Sequence, residues 1–136
     1  MRKLVLVLGL VGTMAAACGE EKEKEQASKP CASPPPAAAT QPKLPATFPK
    51  PTEVTYTAVQ QAGPSTKVAG FWSGDVDAAF EGYKDAFDSA GWDVTKDEHE
   101  AVDAEIAFQH GSANGQVKLL QTCADRTSVT ITLRPD

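Results

Sequence analysis

The stretch DVDAAFEGYKDAFDSAGW, residues 75–92, decides the fold. Val76, Ala79, Phe80, Tyr83, Ala86, Phe87 and Ala90 recur three and four apart, so one apolar stripe runs along a helix over 75–90. Asp77, Glu81, Lys84, Asp85 and Asp88 fall on the opposite side and face water. Asp75 is a capping residue at the start, and Gly91 supplies the left-handed stop that ends such a helix. Gly82 within it costs up to about 1 kcal/mol against alanine. That cost is tolerable where the helix meets a neighbour closely.

Outward from this helix the period changes from 3.6 to 2. Upstream, Val54–Val59 alternates and is rich in β-branched residues, so it reads as a strand. Ala62-Gly63-Pro64-Ser65 turns the chain. Lys67–Trp72 returns as a second strand with Val68, Gly70 and Trp72 on one side. Phe71 then points to the other. Downstream, Trp92-Asp93-Val94 opens a third strand, and Lys96–Glu100 reads as a solvated turn. Val102, Ala104, Ile106 and Phe108 alternate with Asp103, Glu105, Ala107 and Gln109, the pattern of a strand with one wet face. Gly111–Gly115 is a turn on its Asn-Gly signal, Val117–Thr122 is a strand, and Cys123–Arg126 turns again. Thr127–Leu133 closes the series with Val129, Ile131 and Leu133 inward and Ser128, Thr130 and Thr132 outward. The expected order is β-β-α-β-β-β-β. It implies an α+β, two-layer sandwich in which one helix packs on a mainly antiparallel sheet.

Residues 52–136 are thus the expected folded unit, and 18–51 a tether. Glu20–Glu25 alternates acidic and basic groups with no apolar face. Of the ten prolines in the chain, those at 30, 34, 35, 36, 42, 45, 49 and 51 crowd one segment, where they forbid a helix and favour extended geometry. A stalk of this kind is expected to be dispensable for folding. The net charge is -5 at pH 7, without a basic patch, so nucleic acid is excluded as a partner of phosphate-contacting type.

Residues 1–17 carry an export signal: Arg2 and Lys3, then apolar Leu4–Val11, then small Ala15-Ala16-Ala17. The apolar run is too short to span a bilayer, which needs roughly 20 residues. Together with Cys18 this segment resembles the lipobox of bacterial lipoproteins, from which it departs in having Ala15 where the family usually has leucine. The resemblance implies cleavage before Cys18, diacylglycerol on its thiol, acylation of the new amino group and a domain held outside the cytoplasm. It implies anchoring to the cell membrane or the outer membrane, and Gly19 after the anchor permits the latter. Two or three acyl chains anchor a protein firmly, whereas one does so only marginally. Residues 65–134 also resemble a domain carried by many uncharacterised bacterial lipoproteins, a likeness of pattern with no catalytic motif to carry over.

With Cys18 taken by lipid, Cys31 and Cys123 remain as candidates for a disulfide in an oxidising compartment. Such a bridge could add on the order of 4 kcal/mol in the chain-entropy picture. Either thiol could instead be buried or pair with a partner protein. No CxxC, HExxH or phosphate-binding glycine loop occurs, and Gly70–Gly74 lacks the spacing and the lysine. His99, among Asp97, Glu98 and Glu100, and His110 read as solvated positions, not as metal ligands. Ser65, Ser73 and Ser128 lack the setting of an activated nucleophile. No cofactor is expected. Trp72 and Trp92 read as core, while Phe71, Thr130 and Thr132 on the open sheet face form a mildly apolar surface suited to an envelope protein, a peptide or a glycan. The expected role is a membrane-tethered, non-catalytic binding or scaffolding domain. The alternatives are a small envelope hydrolase or metal-dependent enzyme built on the histidines, and an accessory subunit of an envelope complex.

Overall fold

The computed structural model describes residues 18–135, so the export signal expected over residues 1–17 lies outside the described residues. The elements run α1 (Cys18–Ala27), β1 (Val54–Ala62), β2 (Ser65–Ser73), α2 (Val76–Ser89), β3 (Asp93–His99), β4 (Asp103–His110), β5 (Ala113–Cys123) and β6 (Arg126–Arg134). The strands form one six-stranded sheet in the order β1-β2-β6-β5-β4-β3, with every neighbouring pair antiparallel.

α2 begins and ends for local reasons. Asp75 stands outside the helix with extended backbone, and its carboxylate accepts from the Ala78 amide at 2.8 Å. At the other end Gly91 takes φ 73°. The Trp92 amide donates to the Phe87 carbonyl at 2.9 Å and the Gly91 amide to the Asp88 carbonyl at 3.1 Å. These are the paired bonds of a Schellman stop, and the Trp92 and Phe87 rings meet beside it at 6.3 Å. Val76, Ala79, Phe80, Tyr83 and Phe87 are the buried side. Gly82 is required there, because a Cβ would land on the Trp72 indole.

The expectation of a single helix on the sheet is corrected: two helices pack against it, α2 on β3, β4, β5 and β6, and α1 against β5. α1 escapes a reading of periodicity because it presents no apolar stripe. Its last residue, Ala27, is buried, and the Ala27 carbonyl accepts from Gln121 Nε2 at 3.4 Å. Its docking is supplied by the end of β5, not by a pattern in its own sequence.

The Pro-rich stretch also lies on the domain instead of hanging free. Six strands span roughly 24 Å from first to last at their usual spacing, and one helix is only about 10 Å across. α2 therefore covers only part of the inner face, and residues 38–51 add cover at two places, the outer edge of β1 and the β4 side beside α2. The Ala38 amide donates to the Tyr56 carbonyl at 2.7 Å on the outer edge of β1. Leu44 packs against the core. Phe48, 7% exposed, meets Phe87, Trp92 and Phe108 edge-on at 5.7, 5.3 and 5.4 Å. The Trp92 indole N–H donates to the Thr47 carbonyl at 2.9 Å. Prolines exclude helix here but do not exclude burial.

Two local readings also change. Lys96–His99 is part of β3, a charged edge strand exposed along most of its length, and such charge on an edge discourages pairing with other chains. A bulge between Val94 and Lys96 breaks the alternation that would have revealed it. The β4–β5 turn is made by Gly111-Ser112, with Gly111 at φ 62°, so Asn114-Gly115 lies within β5.

Candidate functional site

The inner face of the sheet is filled by Val68, Trp72, Ala104, Ile106, Phe108, Val117, Leu119, Val129, Ile131 and Leu133. The outer face is built by the alternate residues and carries no packed layer among the described residues. Cross-strand register arranges it in rows. One row runs Lys96, Ala107, Gln116, Thr132, Lys67. The next runs Glu98, Glu105, Lys118, Thr130, Ala69, and a third runs Asp103, Leu120, Ser128, Phe71, Thr55. Thr130 and Thr132 thus share this face with Phe71. Phe71 is half-buried, with the Arg126 guanidinium 5.4 Å over its ring, so it offers less free apolar surface than its sequence position suggests. Leu120 is instead the large apolar residue open to water in this set of rows, at 40% exposure.

Two depressions open on this face. One, of about 430 Å³, has Leu120, Ser128 and Thr130 in its lining and carboxylates around it: Glu98, Glu105, Asp103, Glu100 and, from α1, Glu23. Glu98 and Glu105 stand directly opposite each other, an arrangement of like charges that costs stability. Lys96 relieves it at 2.6 Å from Glu98 and Lys118 at 3.2 Å from Glu105. The hydrogen bond that the Lys96 ammonium donates to Glu98, with the charge of that carboxylate, holds it above its ordinary pKa. The second depression, of about 480 Å³, is lined by Ser65, Thr95, Gln109, Asn114, Gln116 and Thr132, with Arg134 beside them. The face therefore grades from acidic at β3 and β4 to amides and hydroxyls beside Arg134 nearer the β4–β5 turn.

The histidines do not form one centre. His99 Nε2 lies 2.9 Å from Asp77 Oδ1, and its ring stacks on Phe80 at 4.5 Å. His110 stacks on Trp92 at 4.9 Å. His99 faces Ala104 across β3–β4, six residues along β4 from His110, so about 20 Å separates them at strand rise. Among the described residues no group of three or more His, Cys, Asp or Glu side chains is placed to hold a metal ion.

Cys31 and Cys123 are joined by a disulfide with Cα atoms 5.2 Å apart. Lys29 and Ala32 flank it with bonds from the Ala124 amide at 2.9 Å and Arg126 Nη2 at 2.7 Å. Cys18 opens α1. Among the described residues no helix is long and apolar enough to cross a membrane. Leu120 and Glu98 are the residues of this face that the sequence did not single out. The signal for Leu120 was its place between inward Leu119 and the β5–β6 turn. Glu98 was hidden by the bulge. Comparison with family models, with curated proteins and with solved structures gives no match for this chain.

Proposed function

We propose that the protein is an envelope lipoprotein, anchored through Cys18, whose domain binds a partner on the outer face of its sheet without chemical turnover. The observation that carries this reading is the outer face itself: six strands wide, left without a covering layer among the described residues, and indented by two depressions. Exposed apolar patches rimmed by polar groups mark interaction sites, and Leu120, open to water in the same row as half-buried Phe71, is the apolar part here. Charge selects the partner. Glu98, Glu100, Asp103 and Glu105 surround the first depression against Lys118 alone among its lining residues, so a peptide or protein segment carrying basic groups fits it best.

The outer side of α2 is acidic too, with Asp77, Glu81, Asp85 and Asp88, which gives the test its control. Amide shift mapping of the soluble domain with residues 19–51 retained is run with a short oligolysine peptide. Expected shifts fall on β4, β5 and β6 outer-face positions and are lost in the Glu98→Gln/Glu105→Gln variant. Shifts spread equally over α2 would refute a defined site. A response only to a neutral oligosaccharide, around Gln116 and Asn114, would replace the basic partner with a glycan. The anchor is tested separately: intact mass should show an acylated N-terminus at Cys18, and Cys18→Ser should release the protein from the membrane fraction.

A further inference from the structure

The N-terminal segment is attached to the domain in two unlike ways. Residues 38–51 are held by the core, through Leu44 and the Phe48 aromatic cluster. Residues 27–32 are held at one place only, the end of β5 and the turn that follows. There Gln121 bonds the Ala27 carbonyl, the Ala124 amide bonds the Lys29 carbonyl, the Asp125 amide approaches Cys31 Sγ at 3.4 Å and Arg126 bonds the Ala32 carbonyl. Between the two attachments, residues 33–37, including Pro34-Pro35-Pro36, are exposed. A few hydrogen bonds and one buried alanine are too little to order this segment against its conformational entropy. The disulfide keeps these weak contacts at high effective concentration.

We propose that the Cys31–Cys123 disulfide is a reducible clamp, and that its reduction frees residues 18–37 while the sheet, α2 and residues 38–51 stay folded. The reductant is a dithiol. Cys31 is half-buried and Cys123 only 6% exposed, so the incoming thiolate attacks Cys31 Sγ. The S–S bond breaks with its electron pair leaving on Cys123 Sγ, which takes up a proton. The second thiol of the reductant then attacks the reductant sulfur of the mixed disulfide and expels Cys31 as thiolate, which is protonated in turn. The dithiol ends as a disulfide, having supplied two electrons and two protons. The Asp125 N–H is placed to steady the departing Cys31 sulfur.

Two consequences follow from position. α1 carries Glu23 to the rim of the acidic depression, so its release removes one wall. With a lipid on Cys18, which this clamp does not require, the closed form holds the domain against its anchor and the open form gains a coil with an end-to-end distance of about 25 Å.

Hydrogen exchange on the full-length protein in detergent, oxidised and then dithiothreitol-reduced with capped thiols, tests the clamp. Exchange at Ala124, Asp125 and residues 21–27 should rise by about tenfold or more, while Ala38 and the sheet amides keep their protection. The Cys31→Ser/Cys123→Ser variant should reproduce the reduced pattern without reductant. Unchanged exchange in α1 would overturn the proposal, since its own contacts would then hold it. Loss of protection across the sheet would overturn it equally, making the bridge a staple of the whole fold.

Discussion

The two faces of this sheet come from the same strands and the same alternation, yet they are finished differently. The inner face is closed twice, by α2 and by residues 38–51, and its residues are nearly all inaccessible to water. The outer face is left to Thr, Ser, Gln, Lys and Glu side chains in cross-strand rows. Alternation tells which residues share a face. It does not tell what covers that face, because the covering segment need not be periodic.

If the inner face depends on the Pro-rich segment, Phe48→Ala should be the most damaging single change. Loss of a ring seated among Phe87, Trp92 and Phe108 costs about 3–5 kcal/mol, a large share of the stability of a small domain. A urea midpoint close to that of the parent protein would break the comparison. Gly82→Ala tests the inner face from the helix side. A Cβ there meets the Trp72 indole, and overpacking of about 1–3 kcal/mol should outweigh the gain of about 1 kcal/mol in helix propensity. A raised melting temperature would contradict this.

Alkaline titration reads the same face without mutation. The only two tyrosines, Tyr56 and Tyr83, are both in the core. Burial pushes Tyr56 up to about 12 and Tyr83 well above its ordinary value of 10.0, in the latter case with Tyr56 adding to the effect. Their protons are held more tightly folded than unfolded. That stability is intact below pH 10.0 and is lost as pH climbs from there through about 12. Phenolate absorbance should therefore stay absent near pH 10 and appear together with unfolding. A phenolate signal at the ordinary tyrosine pH, with the fold intact by circular dichroism, would place a tyrosine outside the core. The smallest effects belong to the outer face. Thr130→Ala and Thr132→Ala should each shift stability by no more than about 0.5 kcal/mol. A larger loss would mean that something packs there.

Much of this was legible from residues alone. The helix over 75–90, its Asp75 cap and Gly91 stop follow from local rules, as does the inward set Val129, Ile131 and Leu133, since both depend on neighbours a few positions away. Three things were not legible. α1 has no apolar stripe, so nothing in 18–27 announces that β5 will receive it. Phe48 is one aromatic among prolines, and its partners lie about forty and sixty residues away in sequence. Glu98 fell in a charged run that reads as a turn, because a bulge at Val94/Lys96 interrupts β3. The outer face was visible as Thr130 and Thr132, but the acidic rim depends on β3 lying beside β4 and on α1 bringing Glu23 to it.

The dependence of the inner face on residues 38–51 is tested most directly by thermal unfolding of two chains, one starting at Gly19 and one at Thr52. The longer chain should melt cooperatively. The shorter one should lose its cooperative transition or melt far lower, because the Phe48 site beside Phe87, Trp92 and Phe108 and the outer edge of β1 are then open to water. Equal, cooperative melts for the two would show that the strands and α2 close the core alone, and that the Pro-rich segment is only a stalk.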